Sequence, residues 1–275
     1  MGYKNLQKGI GSILTSEINY KLLVEVAMLA GEIMLCGGAE TYRVEDTMTR
    51  ILKISGFDKT EVYVTPTGIF MTLGDASIDT ISLVKRLEMR MTNFSYIYTV
   101  NTISRNLCNG KITLEDAYLD LKNIQTSREY GVFAYYICII LASLSFTVLL
   151  GGDWLNSILA GFHGGIIVFV FILTKRVQIN TFIKNMLASI LIAFSSMLFM
   201  HVLNLPIQLD ALIGGSLMPL LPGVAITNAI RDTLQGDYVS GGARAIEAFI
   251  TAAATAAGVG VGMAFFAFLS GGNVL

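Results

Sequence analysis

The sequence predicts an α-helical membrane protein with five transmembrane helices, preceded by a small α+β cytoplasmic domain. Charge partition is the main observation: residues 1–131 hold 29 of the 39 charged side chains, and the longer remainder, 132–275, holds the other 10 between apolar runs. A soluble domain needs charge over its whole surface, so a stretch this depleted has lipid as its solvent. Mean hydropathy of +0.63 and an apolar fraction of 53% average a polar first part with a very apolar second. A bilayer core of about 30 Å needs roughly 20 apolar residues per helix. Five runs qualify, at about 132–150, 154–174, 182–203, 209–230 and 245–269, which sets the domain boundary at 130/131.

Within residues 1–130, Leu22, Val26, Leu29 and Ile33 share a helical face, and Gly37-Gly38 can end that helix. A second helix follows, with Val44, Met48, Ile51 and Leu52 inward, closed by Gly56. Glu61–Leu73 reads as two strands around the turn Thr65-Pro66-Thr67-Gly68, and Thr80–Leu87 as a third. Helices resume at about 94–108 and, after the N-cap candidate Thr113, at 114–127.

Orientation follows from the loops. Lys175, Arg176 and Lys184 mark one loop, 175–184, and Arg231 and Arg244 mark another, 231–244. The loops at 151–153 and 204–208 and the tail after Ser270 carry no Lys or Arg. Basic loops favour the cytoplasmic side, which places the N-terminal domain inside and the C-terminus outside. Met1 to Thr15 has no long apolar core, so no signal peptide is expected. An odd number of spans suits a homologous half of inverted orientation, so a partner or a homo-oligomer is expected.

Several function classes fall away. A net charge of −1 gives nucleic acid no electrostatic hold. Cys36, Cys108 and Cys138 fit no metal spacing or disulfide framework. No Gly-rich phosphate loop or nucleophile elbow is present, and no cofactor or metal is expected.

Polar and backbone features inside the apolar part need a reason. His163, in Gly161-Phe162-His163-Gly164-Gly165, lies at mid-span, where an ionisable group is either a proton or solute handler or a neutral packing residue. His201 and Asp210 flank the outer turn at Pro206 and could meet as a proton relay, or simply reach water at the interface. Met218-Pro219-Leu220-Leu221-Pro222-Gly223 removes two backbone donors from one span, and broken spans of this kind line solute pathways. Asn228, Arg231, Asp232, Asp237 and Arg244 gather at the inner ends of spans four and five, where Arg231 could grip a substrate carboxylate or merely pair with Asp232. The small residues from Ala252 to Gly262 suit close helix packing. In the N-terminal domain, Glu40, Arg43, Glu45 and Asp46 form a polar cluster that is either a site or a solvated helix start, with Glu45 and Asp46 favoured by the helix dipole.

Gly38-Ala39-Glu40-Thr41-Tyr42-Arg43-Val44-Glu45-Asp46, followed by Val62-Tyr63-Val64-Thr65-Pro66-Thr67-Gly68-Ile69, resembles the threonine/serine exporter family, specifically its YjjP-like members. Asn101 through Arg105, Leu221-Pro222-Gly223, Asn228-Ala229-Ile230-Arg231-Asp232 and Ser240-Gly241-Gly242-Ala243-Arg244 look like motifs of the same family, and the resemblance covers roughly residues 17–270. It implies a multi-pass exporter of small amino acids or short dicarboxylates such as succinate, in the bacterial inner membrane, energised by the proton gradient. It also implies the split form, whose second half is a separate five-span subunit. The residues themselves, rather than the resemblance, suggest Pro219, Pro222, Gly223, Asn228, Arg231 and Asp232 as the pathway, with His163 or the His201/Asp210 pair as candidates for proton coupling. Glu40, Arg43, Glu45, Asp46, Thr65, Thr67 and Arg105 are the candidates in the cytoplasmic domain. Two other classes stay open: a membrane-anchored hydrolase working through Glu45, Asp46, Thr65 or Thr67, and a sensor whose N-terminal domain gates a pore.

Overall fold

The structure, a computed structural model, describes residues 19–76, 78–87, 92–126, 131–175, 177 and 179–271. It divides into two compact units: Met1–Ser127 with Thr227–Arg244, and Arg128–Ile226 with Ala245–Leu275. Where the sequence divides the chain once, at 130/131, the segment 227–244 packs with the first unit, because its polar side chains find their partners there.

In the first unit, α1 (Tyr20–Cys36) is capped by the Asn19 side chain, which accepts from the Leu22 N–H at 3.1 Å. The apolar face read from the sequence is only part of what is buried. Leu23, Ala27, Ala30 and Met34 are also fully enclosed. Lys21 and Glu25, with the half-buried Glu32 and Cys36, leave one narrow polar stripe outward, and the rest of α1 packs against the next three helices and the sheet. α2 (Thr41–Leu52) turns Val44, Met48, Ile51 and Leu52 inward as expected, and one 3-10 turn then runs to Gly56, whose φ of 74° ends it.

Strands β1 (Lys59–Thr65), β2 (Gly68–Asp75) and β3 (Ile78–Arg86) form an antiparallel sheet in that order, with the two-residue connection Pro66-Thr67 between the first two. Ile69, Met71 and Leu73 of β2, with Val64 of β1, supply the sheet's share of the core. α3 (Phe94–Cys108) and α4 (Leu114–Thr126) follow. Thr113 does cap α4: its hydroxyl accepts from the Asp116 N–H at 3.1 Å, while the Asp116 carboxylate accepts from the Thr113 N–H at 3.3 Å.

In the second unit, α5 (Val132–Leu149), α6 (Trp154–Lys175) and α7 (Thr181–His201) are long and apolar enough to span a bilayer, and so is α10 (Tyr238–Leu269). The fourth run is not one helix. α8 (Leu209–Leu217) passes through a 3-10 turn, Met218–Leu220, then breaks, and α9 (Gly223–Leu234) leaves at 64°. The spans thus number four, or five if this bent pair crosses as one. The stretch 231–244 is not a loop either: Arg231 lies on α9 and Arg244 on α10, with only a short turn at Gly236 (φ 90°) between them.

Small residues let these helices touch. A Cβ at Gly164 would sit 2.7 Å from Ile140 Cα, and at Gly215 only 2.4 Å from Thr147 Cα. Gly258 and Gly262 of α10 likewise lie against the carbonyls of Met186 and Ile190, so the small-residue run is a packing face. Buried hydroxyls bond back to their own helices, as Thr147 does to Ser143 O and Ser189 to Asn185 O, which leaves no unsatisfied donor at those points.

Gly215→Ala is expected to lower stability by about 1–3 kcal/mol through forced separation of α5 and α8. Gly165→Ala, where an added methyl meets open space, should leave it unchanged. Thermal unfolding of the purified protein in detergent would measure the difference.

Candidate functional site

The site in the first unit is built on the turn between α1 and α2. Gly38, at φ 87°, reverses the chain, and Glu40 enters α2 in an extended conformation without capping it by its own side chain. The cap comes from Asp232, 191 residues later. Its Oδ1 accepts from the Thr41 N–H and its Oδ2 from the Thr41 hydroxyl, both at 3.1 Å. A carboxylate here satisfies a free helical N–H and faces the positive end of the helix dipole. Asp232 has no solvent exposure, and its charge is balanced by Arg244 Nε at 3.0 Å. Arg244 Nη2 also donates to Ala39 O at 2.8 Å, and Asn228 Nδ2 donates to Gly38 O at 2.8 Å.

Glu40 is the second anion of the cluster. Its carboxylate is shared between Arg43 Nη1, at 3.3 Å, and Arg231 Nη1. Glu40 itself is buried, whereas the Arg231 side chain is 55% exposed, so the guanidinium closes the site from its solvent side. Burial alone would raise the Glu40 carboxyl. Its backbone N–H, the Arg231 hydrogen bond and the charge of Arg43 outweigh that and hold it below the usual carboxylate range.

Glu45 accepts from the Val64 N–H at 2.8 Å and so ties α2 to β1. Burial, with the nearby charges of Asp237 and Asp232, raises its carboxyl above the ordinary value despite that hydrogen bond. The motifs around Glu40, Tyr63, Asn228 and Arg244, distant in sequence, therefore converge on one polar cluster.

The other candidates of this unit lie elsewhere. α2 begins at Thr41, so Glu45 and Asp46 are beyond its first turn, and the dipole position assigned to them belongs to Asp232. Asp46 makes an exposed pair with Arg50 at 2.9 Å, of a kind worth little in stability. Thr65 and Thr67 line an open hollow of about 550 Å³ with Phe70, Lys85 and Arg86. Arg105 is exposed on α3. Arg231 and Asp232 do not pair with each other: each engages a residue of the turn, Glu40 and Thr41 respectively.

In the second unit His163 is fully buried between two serines. Nδ1 is 2.9 Å from Ser216 Oγ and Nε2 is 3.0 Å from Ser195 Oγ, while the ring stacks on Phe199 at 5.8 Å. Both hydroxyls donate to their own helices, Ser195 to Leu191 O and Ser216 to Leu212 O, each at 2.7 Å. Each Oγ then offers the ring a lone pair. A neutral imidazole has one N–H to give, whereas a protonated one has two. Ser195 also lines an apolar groove of about 560 Å³ formed with Phe162, Gly165, Phe169, Phe194 and Phe199.

At the break, Leu221 is extended before Pro222, as the proline ring requires, and Asn185 Nδ2 donates to Leu220 O at 3.0 Å. Pro219 sits in the 3-10 turn, and Gly223 opens α9 with free space where a side chain would be. The pairing of His201 with Asp210 is not formed: both are exposed, and the His201 ring instead stacks on Phe266 at 5.9 Å.

Thr41, Ser195, Ser216 and Asn185 were not among the sequence candidates. Asn185 left a trace, being an amide inside an apolar run. The others are ordinary helical hydroxyls until their partners are known.

Apolar spans, a broken fourth run and a buried polar cluster define a polytopic membrane protein. The chain matches the family described as "Putative threonine/serine exporter" over residues 25–266, and it belongs to that family. It is 24% identical over 262 residues to a "Threonine/serine exporter" of Corynebacterium glutamicum, covering 91% of this chain and 52% of that protein. A "Probable threonine/serine exporter" of Mycobacterium tuberculosis is 20% identical over 249 residues, covering 88% of this chain and 46% of its own length. "Pheromone-regulated membrane protein 10" of Eremothecium gossypii is 24% identical over 237 residues, covering 84% and 32%. The chain thus spans about a third to a half of these relatives. No solved structure matches it significantly.

The two glutamates should titrate in opposite senses. Stability from ionised Glu40 is present above the ordinary carboxylate value of about 4.3 and lost as pH falls through its lower folded value. The raised Glu45 instead favours the fold below that value, and this contribution is lost as pH rises through its folded value. Glu40→Gln should therefore lower the melting temperature at neutral pH, and Glu45→Gln should raise it. Both differences should vanish in acid, as melting curves across a pH series would reveal.

Proposed function

We propose that this chain is a subunit of a secondary exporter of small amino acids such as threonine and serine, or of short dicarboxylates such as succinate, driven by the proton gradient. It would lie in a bacterial inner membrane with its N-terminal domain in the cytoplasm and its C-terminus outside, consistent with the basic residues near Lys175, Lys184, Arg231 and Arg244. A second five-span subunit of the same family would complete it, in keeping with relatives of roughly twice this length.

The observation behind this reading is that Arg231 already holds a carboxylate, that of Glu40, while more than half of its side chain faces solvent. A solute carboxylate presents the same group to the same guanidinium. Loading is then an exchange: substrate takes Arg231, and Glu40 keeps Arg43. Release from Arg231 loosens the turn that begins α2, so the N-terminal domain responds to occupancy. The solute passes the break at Pro219, Pro222 and Gly223, where irregular backbone is tolerated beside a cavity. Asn228 and Asp232 hold the turn in place.

His163 carries the coupling proton. With both serine hydroxyls committed to carbonyls, protonation supplies the second N–H that the arrangement accepts. Deprotonation requires one serine to turn its hydroxyl from the helix to the ring. Asp210 and His201, exposed on the same unit, are secondary candidates for proton entry.

The test is export from cells loaded with a threonine- or serine-containing dipeptide, or with succinate, with and without the five-span partner and an uncoupler. Export should need both chains and the gradient. Arg231→Ala removes a charge-assisted contact and should slow export about tenfold or more at low internal substrate. His163→Gln should abolish the dependence on the gradient. Wild-type rates for both variants at normal expression would overturn the site assignment, and export indifferent to the uncoupler would overturn the coupling.

A further inference from the structure

Gly68, the first residue of β2, is a glycine that the backbone does not require. Its φ lies outside the left-handed range, and glycine weakens a strand unless something must approach it closely. The Leu87 N–H donates to Thr67 O at 2.9 Å. The next pair, Gly68 and Arg86, is therefore a non-hydrogen-bonded one, where facing side chains lie closest. A side chain at position 68 would stand beside Arg86. Its Cβ would meet the Lys85 carbonyl oxygen at 3.5 Å and the Phe70 ring and Thr65 hydroxyl at 3.7 Å, ordinary contacts that displace nothing. Glycine here keeps open the hollow of about 550 Å³ between the hairpin turn and β3. That volume falls in the range of small-molecule sites, about 300–1,000 Å³.

The walls of the hollow divide by chemistry. Strand side chains alternate between faces, so with Ile69 in the core Gly68 and Phe70 face outward, in register with Arg86 and Val84. Phe70, 43% exposed, and Val84, 70% exposed, form an apolar floor. Lys85 is held by Glu32 at 3.4 Å, and the Thr65 hydroxyl donates to Gly68 O at 3.3 Å. Among the described residues, however, the Arg86 guanidinium and the Thr67 hydroxyl have no partner. No residue lining the hollow is acidic. One free guanidinium and one free hydroxyl suit a single carboxylate, and an ammonium group would find no counter-charge.

We propose that this hollow binds a small aromatic monocarboxylic acid, with its carboxylate on Arg86 and Thr67 and its ring on Phe70 and Val84. The compounds proposed for export fit it poorly. Amino acids bring an ammonium, and dicarboxylates set a second charge against the apolar floor. The site is thus separate from Arg231 in both place and ligand.

The test uses the full chain in detergent with 4-fluorophenylacetate as the probe, whose fluorine resonance broadens on binding. Broadening by empty micelles is subtracted. Arg86→Gln should weaken binding about tenfold or more. Gly68→Val fills the hollow and should abolish binding, while its melting temperature stays at or above the parent's, because valine suits a strand better than glycine. Arg231→Ala should bind the probe as the parent does. Unlabelled phenylacetate should displace the probe at concentrations about tenfold below those needed of threonine, succinate, acetate or benzyl alcohol. No specific broadening with the parent chain, or unchanged binding in Arg86→Gln or Gly68→Val, would overturn the proposal. So would loss of binding in Arg231→Ala, or displacement by threonine or succinate as readily as by phenylacetate.

Discussion

The buried carboxylate of Asp232 is the interaction on which the first unit depends. A fully desolvated anion costs several kcal/mol unless charge and hydrogen bonds replace its water. Here the replacement comes from Arg244 and from both donors of Thr41, while Arg244 and Asn228 occupy the carbonyls of Ala39 and Gly38. Every element of the arrangement needs the others: Asp232 without Arg244 is an uncompensated charge, and α2 without Asp232 has an unsatisfied end. For this reason residues 227–244 fold with the N-terminal domain although they lie between apolar runs. Glu40 and its two arginines form a second layer on the same turn, with the guanidinium of Arg231 on the solvent side.

How much of this was legible in the sequence depends on the range of the forces involved. The helix ends at Gly37-Gly38 and Gly56, the hairpin at Pro66-Thr67 and the Thr113 cap were all readable, because each is decided by residues a few positions apart. The break at Pro219 and Pro222 was readable too, since proline removes a donor wherever it stands. What could not be read was pairing across the chain. Arg231 and Asp232 are neighbours, and an ion pair between them was the economical reading; only the fold reveals that they reach different residues of one turn. The same limit hid Ser195 and Ser216, which become partners of His163 only once three helices are packed. His201 and Asp210 left two readings open, a mutual contact or exposure at the interface; both are exposed, and the His201 ring lies against Phe266 of α10.

The second unit is held by different means. Lipid offers its helices no hydrophobic gain for meeting each other, so contact relies on close backbone approach at Gly164, Gly215, Gly258 and Gly262 and on hydroxyls that satisfy themselves within their own helices. Against that uniform background the Ser216–His163–Ser195 chain and the Asn185 contact at the break are the polar exceptions. Both occur where a helix is either interrupted or bonded sideways.

The distance in sequence between Thr41 and Asp232 has a consequence for how the protein is made. At a synthesis rate of about 5–20 residues per second, the residue that completes the start of α2 leaves the ribosome roughly 10–40 s after the helix itself. Until then the N-terminal domain carries an unfinished turn, with Glu40 and Thr41 lacking their eventual partners. Its maturation therefore waits on delivery of the apolar segments that precede Asp232, and a ribosome stalled before α9 would leave an N-terminal domain marked as immature by its own exposed polar turn.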